Sequence, residues 1–139
     1  MPEDPGAATE SLDVLDASAI LALLLGEPGA EFVADAIAGA ATMSTVTYAE
    51  VATVLIRNDL ELGALAQVGA QVRIEPFTAT DANTAAALIV PGELLGLSLA
   101  GRACLALAIR LNARVLTADS ARTKLDIRVK VVLIRAKGS

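Results

Sequence analysis

Three acidic residues sit in apolar surroundings and frame the first chemical question. Asp16 closes a short apolar run in "LDVLDASAIL" (residues 12–21), with small residues and leucines behind it. Asp119 closes another in "VLTADSAR", with Thr117 two residues before it. Glu50 is the only charge between Asp35 and Arg57, inside the core-like helical segment "STVTYAEVATVLI". A buried carboxylate needs partners. Carboxylates brought together raise each other's pKa unless a cation neutralises them. Hard oxygens of this kind suit Mg²⁺ or Mn²⁺, ions that keep waters and bind phosphates. Such ions polarise a phosphodiester and generate hydroxide near neutral pH. The residue types therefore fit a nuclease that works without histidine. The chain has no histidine and one cysteine, Cys104. That argues against a zinc site and a histidine-dependent triad.

Each acid also has a plainer reading. An Asp at a strand-to-helix junction can cap the helix by accepting a first-turn N–H. On its own stretch, Asp16 is read most economically as such a cap. Glu50 can belong to a wet polar stripe with Thr47, Thr53 and Arg57 at helical spacing. What separates these readings is whether the fold brings the acids together.

The elements that would do so are short. Strands are predicted over Leu12–Leu15, Thr42–Ser44, Val72–Glu75, Arg114–Leu116 and Val129–Ile134. Helical patterns fill the gaps: Ala19–Leu25, Ala30–Ala38, Thr47–Asp59, Leu62–Val68, Asp81–Leu88 and Arg102–Asn112. The last is the clearest, with Cys104, Leu105, Leu107, Ala108 and Leu111 on a broad stripe. Residues 91–101 read as a loop with a weak helical turn. Alternating strands and helices predict an α/β fold, a parallel sheet of about five short strands flanked by helices. Asp16 and Asp119, each ending a strand, would then share one edge of the sheet, the edge where open α/β sheets bind ligands.

The chain of 139 residues is 55% hydrophobic and 19% charged, enough for one domain with a sizeable core. Residues 1–10 are expected to be a flexible tail and 11–139 a single domain. No apolar run reaches a membrane span, and the N-terminus is no signal peptide. A lone cysteine within a helical pattern reads as a small core residue in a reducing compartment, hence a cytoplasmic protein. Residues 1–100 hold fourteen acids and two bases, whereas residues 101–139 hold nine bases and two acids. This asymmetry fits either a polyanion near the C-terminal third or mutual neutralisation across the fold.

"LDVLDASAIL", "STVTYAEVATVL", "GLSLAGRACLALA" and "VLTADSAR", in this order, resemble the PIN domain. The likeness is to the VapC-type toxins of bacterial VapBC toxin–antitoxin modules and covers nearly the whole chain after the tail. It implies a PIN-like α/β fold, Mg²⁺- or Mn²⁺-dependent cleavage of RNA, inhibition by a cognate VapB-like antitoxin, and a homodimer. By motif match, Asp16, Glu50 and Asp119 are the catalytic acids, with Asp16 and Asp119 on the metal. Ser18 and Thr117 match the supporting hydroxyl positions. Position 101 is Gly where the family carries a further metal-binding Asp, and the neighbouring Arg102 has the opposite charge. The four-acid site is thus reduced to three, and impaired cleavage is expected. Arg102 and the basic C-terminal third would hold the RNA backbone. With Phe32, Tyr48 and Phe77 as the only aromatics, base stacking is a minor resource. On the sequence alone, Gly101→Asp is expected to tighten metal binding and raise cleavage.

Two other readings stay open. One makes the chain a catalytically silent module that mainly binds an antitoxin, whose Arg or Lys would mimic the cation among the acids. A phosphorylated receiver-type domain also uses strand-end acids. It would want an acidic pair after the first strand, where Ala17 follows Asp16, and Lys137 comes late for its lysine.

Overall fold

A computed structural model describes residues 12–89 and 96–136. The expected N-terminal tail and most of the 91–101 loop's first half lie outside the described residues. The elements run β1 (Asp13–Leu15), α1 (Ala17–Leu25), α2 (Ala30–Ala38), β2 (Ala41–Ser44), α3 (Thr45–Arg57), α4 (Gly63–Gln71), β3 (Arg73–Glu75), α5 (Ala79–Ala87), α6 (Leu99–Leu111), β4 (Arg114–Thr117) and β5 (Val131–Leu133). A short 3₁₀ turn, Ser120–Lys124, follows β4.

The five strands pair in the order β3-β2-β1-β4-β5, every pair parallel. From β1 the chain winds outward to β3, then crosses back to lay β4 on the other side of β1. The boundary between β1 and β4 is thus a switch point, and in open α/β sheets the binding crevice lies at that point, beyond the strands' C-terminal ends. Both faces of the sheet are covered. Neighbours along a strand point to opposite faces. Leu15 and Leu116 accordingly join one core with Ile20, Val33, Met43, Val51 and Leu65. Val14 and Val115 join the other with Leu97, Cys104, Leu105 and Leu107. Burial on both sides explains why the strands read as short apolar runs with little alternation.

Local chemistry sets the helix boundaries. Thr78 and Asp81 form a reciprocal capping box at the start of α5. Ser98 caps α6 by accepting the Gly101 N–H at 3.1 Å, so α6 begins before the apolar stripe and Gly101 lies inside it. Asn112 ends α6 in the left-handed region, φ 52°, which Asn tolerates better than most residues.

The ends of the sheet differ in chemistry. At the N-terminal edge Asp13 pairs with Arg114, its register partner on β4. Farther out, Arg110 on α6 holds Asp81 at 2.9 Å and Glu75 at 3.6 Å, and Arg135 lies 3.7 Å from Glu27. Much of the basic C-terminal third therefore neutralises acids of the first hundred residues. Among the described residues, Lys124, Arg128 and Lys130 are exposed and make no ion pair. No single helix among the described residues is long and apolar enough to cross a membrane.

Candidate active site

Asp16 follows β1 directly and is 1% exposed. It stands at the first position before α1, yet its side chain makes no cap hydrogen bond. The helix start is served by its backbone carbonyl, which accepts from Ala19 and Ile20. Its carboxylate turns into the switch-point crevice. Ser18 Oγ and Thr117 Oγ1 each donate to Oδ2 at 2.8 Å. Those hydroxyls are themselves anchored, because Ala118 N–H donates to Ser18 Oγ at 2.9 Å and Asp119 N–H to Thr117 Oγ1 at 3.0 Å. Two backbone amides of the segment after β4 are thereby relayed through two hydroxyls to one carboxylate oxygen. This lattice stitches the ends of β1 and β4 together and fixes the carboxylate's orientation.

The other oxygen, Oδ1, accepts from Arg122 Nη1 at 2.5 Å. Arg122 also lies 3.6 Å, through Nε, from Asp119 Oδ2. Burial works against the charged guanidinium, but Asp16's charge and hydrogen bond outweigh it and hold the arginine's pKa above its ordinary value. Asp119 is more open. Its side chain caps the 3₁₀ turn by accepting the Ala121 N–H at 3.0 Å.

Glu50 reaches the same crevice from α3. Burial pushes its carboxyl pKa up, the negative charge of Asp16 adds to this, and Arg122 opposes both. The polar stripe on α3 divides: Thr53 and Arg57 are exposed, Glu50 is half-buried and Thr47 is buried. The Thr47 hydroxyl has no hydrogen-bond partner among the described residues. Behind Asp16, Cys104 is fully enclosed, with Sγ 3.8 Å from the Leu15 carbonyl. Burial first, then Asp16's charge, pushes its thiol pKa well up, which makes it an inert core residue.

Asp16, Glu50, Asp119, Ser18 and Thr117 thus gather at one crevice. Arg102 does not join them. Its Nη1 donates to the Ala85 carbonyl in the last turn of α5 at 2.8 Å, a favourable place for a cation. Gly101, by contrast, looks onto the site. A Cβ built there would stand 3.1 Å from Arg122 Nη2 and 3.2 Å from Arg122 Cζ. Arg122 is the residue that sequence reasoning missed. The available signal was its spacing three residues after Asp119, one turn on a helical segment.

The donor set has the right chemistry for Mg²⁺ or Mn²⁺, but its arrangement does not fit one. No three acidic side chains among the described residues come close enough to share an ion. Asp16 already accepts three hydrogen bonds, one of them from a cation.

Two consequences can be measured. A glutamate with a raised pKa in the folded protein binds its proton more tightly there than in the unfolded chain. Folding stability then falls as pH rises above about 4.3, the ordinary glutamate value. Glu50→Gln should therefore raise Tm at pH 7 and lose that advantage at pH 4. Equal effects at both pH values would show that the carboxylate is not destabilised by its surroundings. Thr47→Val removes a buried hydroxyl without a partner and keeps the shape, and should stabilise by about 1 kcal/mol in thermal unfolding. A loss of stability would show that the hydroxyl has a partner in solution.

A parallel α/β sheet with acids and hydroxyls at its switch point defines the class to which the sequence motifs pointed. Residues 14–127 match the PIN domain family, and the chain belongs to that family. No curated protein matches it. Solved structures share its fold. One is a toxin–antitoxin complex from Klebsiella pneumoniae, 20% identical, covering 88% of this chain and 97% of that one at TM-score 0.67. FitAcB from Neisseria gonorrhoeae is 21% identical over 88% and 97%, at 0.66. Mycobacterium tuberculosis VapC20, a toxin that cleaves the sarcin–ricin loop, is 19% identical over 84% and 98%, also at 0.66.

Proposed function

We propose that this chain is the PIN-domain toxin of a type II toxin–antitoxin pair, a ribonuclease by descent whose cleavage is strongly impaired in the present sequence. The observation that carries the reading is the buried Asp16 carboxylate at the switch point, oriented by Ser18 and Thr117 with Asp119 and Glu50 beside it. In this reading Asp16 and Asp119 are the acids that would hold Mg²⁺ or Mn²⁺, and Glu50 is the third catalytic acid. The ion would supply a polarised phosphate and an activated water. The chain's own residues orient Asp16, exclude water from its Oδ2 and neutralise its Oδ1. With that pairing in place, the present arrangement offers the ion no open carboxylate pair.

RNA would be held through its phosphates. Lys124, Arg128 and Lys130 are the exposed bases of the C-terminal third free of acidic partners among the described residues, so binding should weaken steeply with salt. Arg102 is a weaker candidate for this role, since it is tied to α5. A VapB-like antitoxin and a second copy of the chain are the proposed partners. Exposed Ile56, Leu60 and Leu62, around the end of α3 and the start of α4, supply apolar surface for them. The compartment proposed is the cytoplasm. The alternative, a silent module that only binds its antitoxin, is favoured by one contact, the Arg122–Asp16 pair.

The test is cleavage of a structured RNA with Mn²⁺ and with EDTA, beside co-expression with any small open reading frame that adjoins the encoding gene. The proposal expects a stable complex, a dimer by light scattering, and slow, EDTA-sensitive cleavage. EDTA-insensitive cleavage, or failure to co-purify, would overturn it. Complete loss of Mn²⁺-dependent cleavage with a stable complex would select the silent module.

A further inference from the structure

Among the described residues, the crevice holds three acids and one cation. Arg122 binds Asp16, lies near Asp119 and acts electrostatically on Glu50. Its side chain is only 17% exposed, so the charged head has given up much of its water and depends on these carboxylates. The head also lies in front of position 101. There any side chain would begin within van der Waals contact of the guanidinium and 2.7 Å from Leu97 Cδ1. A residue with no Cβ is what leaves this space. Gly101 is not needed for backbone conformation, since it sits inside a regular helix, where glycine costs about 1 kcal/mol relative to Ala.

We propose that the Arg122 guanidinium is the resident counter-ion of the Asp16–Glu50–Asp119 crevice, seated in the room left by Gly101, and that it competes with a divalent ion there, so that the folded protein needs none and takes one only weakly. The inference rests on the reading of these acids as a PIN ribonuclease centre and deepens it. The open position at Gly101 and the guanidinium in front of it are two halves of one arrangement. The planar fork suits carboxylates approaching from different sides, as a flexible ammonium does not. Electrostatics agree with the exchange. One positive charge against three acids leaves the crevice negative, and this is consistent with Glu50 feeling repulsion from Asp16 that Arg122 only partly offsets.

The experiment compares the full-length chain with Arg122→Met and Arg122→Lys. Mn²⁺ binding is followed by calorimetry, and Tm is measured in EDTA and in millimolar Mn²⁺. The unmodified protein should show no saturable Mn²⁺ binding and the same Tm in both buffers. Arg122→Met should melt lower in EDTA, recover with Mn²⁺, and bind Mn²⁺ about 10-fold or more tightly than the unmodified chain. Arg122→Lys, which keeps the charge, should remain insensitive to Mn²⁺. Saturable Mn²⁺ binding with a raised Tm in the unmodified protein would overturn the proposal. So would a folded Arg122→Met protein that binds Mn²⁺ no better. If Arg122→Met folds poorly, the unmodified titration still decides, because saturable Mn²⁺ binding by the unmodified protein refutes a resident guanidinium. No RNA or antitoxin enters these measurements, so their failure leaves the toxin reading to be judged by cleavage and co-purification.

Discussion

Asp16→Ala should destabilise the protein by about 3–5 kcal/mol, the usual cost of removing one partner of a buried ion pair. For a chain of this size the loss corresponds to a fall in Tm on the order of 10 °C. The sign carries the information. Where acids crowd a metal centre without a cation, deleting one relieves repulsion and stabilises the metal-free protein. Here Asp16 answers a guanidinium and two hydroxyls, and its removal leaves Arg122 inside the crevice with Asp119, 3.6 Å away, and the weaker pull of Glu50. Asp119→Ala should cost far less, about 1 kcal/mol for the lost cap, because its side chain is 46% exposed. A double-mutant cycle with Arg122→Met isolates the pair. Removing both charges leaves neither unpaired, so the double variant should be more stable than the sum of the single losses predicts. Thermal or urea unfolding in EDTA measures all four proteins. An Asp16→Ala protein as stable as its parent would mean that the Arg122 contact is not formed in solution.

The frame of the molecule was legible because it rests on local patterns. α2 occupies the expected Ala30–Ala38, and the five strands fall within a few residues of the apolar runs that announced them. α6 begins earlier than its stripe because Ser98, a polar residue in an apolar stretch, supplies the cap. The acids were legible for a related reason: a charge that interrupts a buried run needs an explanation. What could not be read was which explanation holds, since that depends on partners distant in sequence. The cap reading of Asp16 was locally sound, and it lost to a hydroxyl on Thr117 and a guanidinium on Arg122, both brought in by the pairing of β4 with β1. Arg102, next to Gly101, is read from the sequence as a residue that holds the RNA backbone. Its side chain instead runs to α5, while Arg122 comes from a polar stretch that reads as ordinary surface. The charge asymmetry was likewise ambiguous until ion pairs such as Arg114 with Asp13 and Arg110 with Asp81 showed how much of it is internal.

That geometry changes the expected outcome at position 101. From the sequence, Gly101→Asp alone should recover activity. In the structure the new carboxylate would arise beside the Arg122 guanidinium, its Cβ 3.1 Å from Nη2, and would pair with it. Leu97 Cδ1, at 2.7 Å, is the end of a flexible side chain and can move aside. Gly101→Asp alone should therefore leave Mn²⁺-dependent cleavage of a structured RNA close to that of the unmodified chain. Adding Arg122→Met removes the competing cation and leaves four acids facing the crevice. Cleavage by the double variant should exceed either single variant by at least about 10–100-fold, the range over which supporting groups change metal affinity or activity. The gain should vanish in EDTA, and also when Asp16→Ala is added, because all these acids would serve one ion. Strong non-additivity is the signature of residues acting as one unit. If Gly101→Asp alone restores EDTA-sensitive cleavage in full, Arg122 yields to the ion and is no obstacle. If the folded double variant cleaves no faster than its parents, position 101 does not complete the centre, and the acids at the switch point of this sheet serve to hold Arg122 and the two strand ends together.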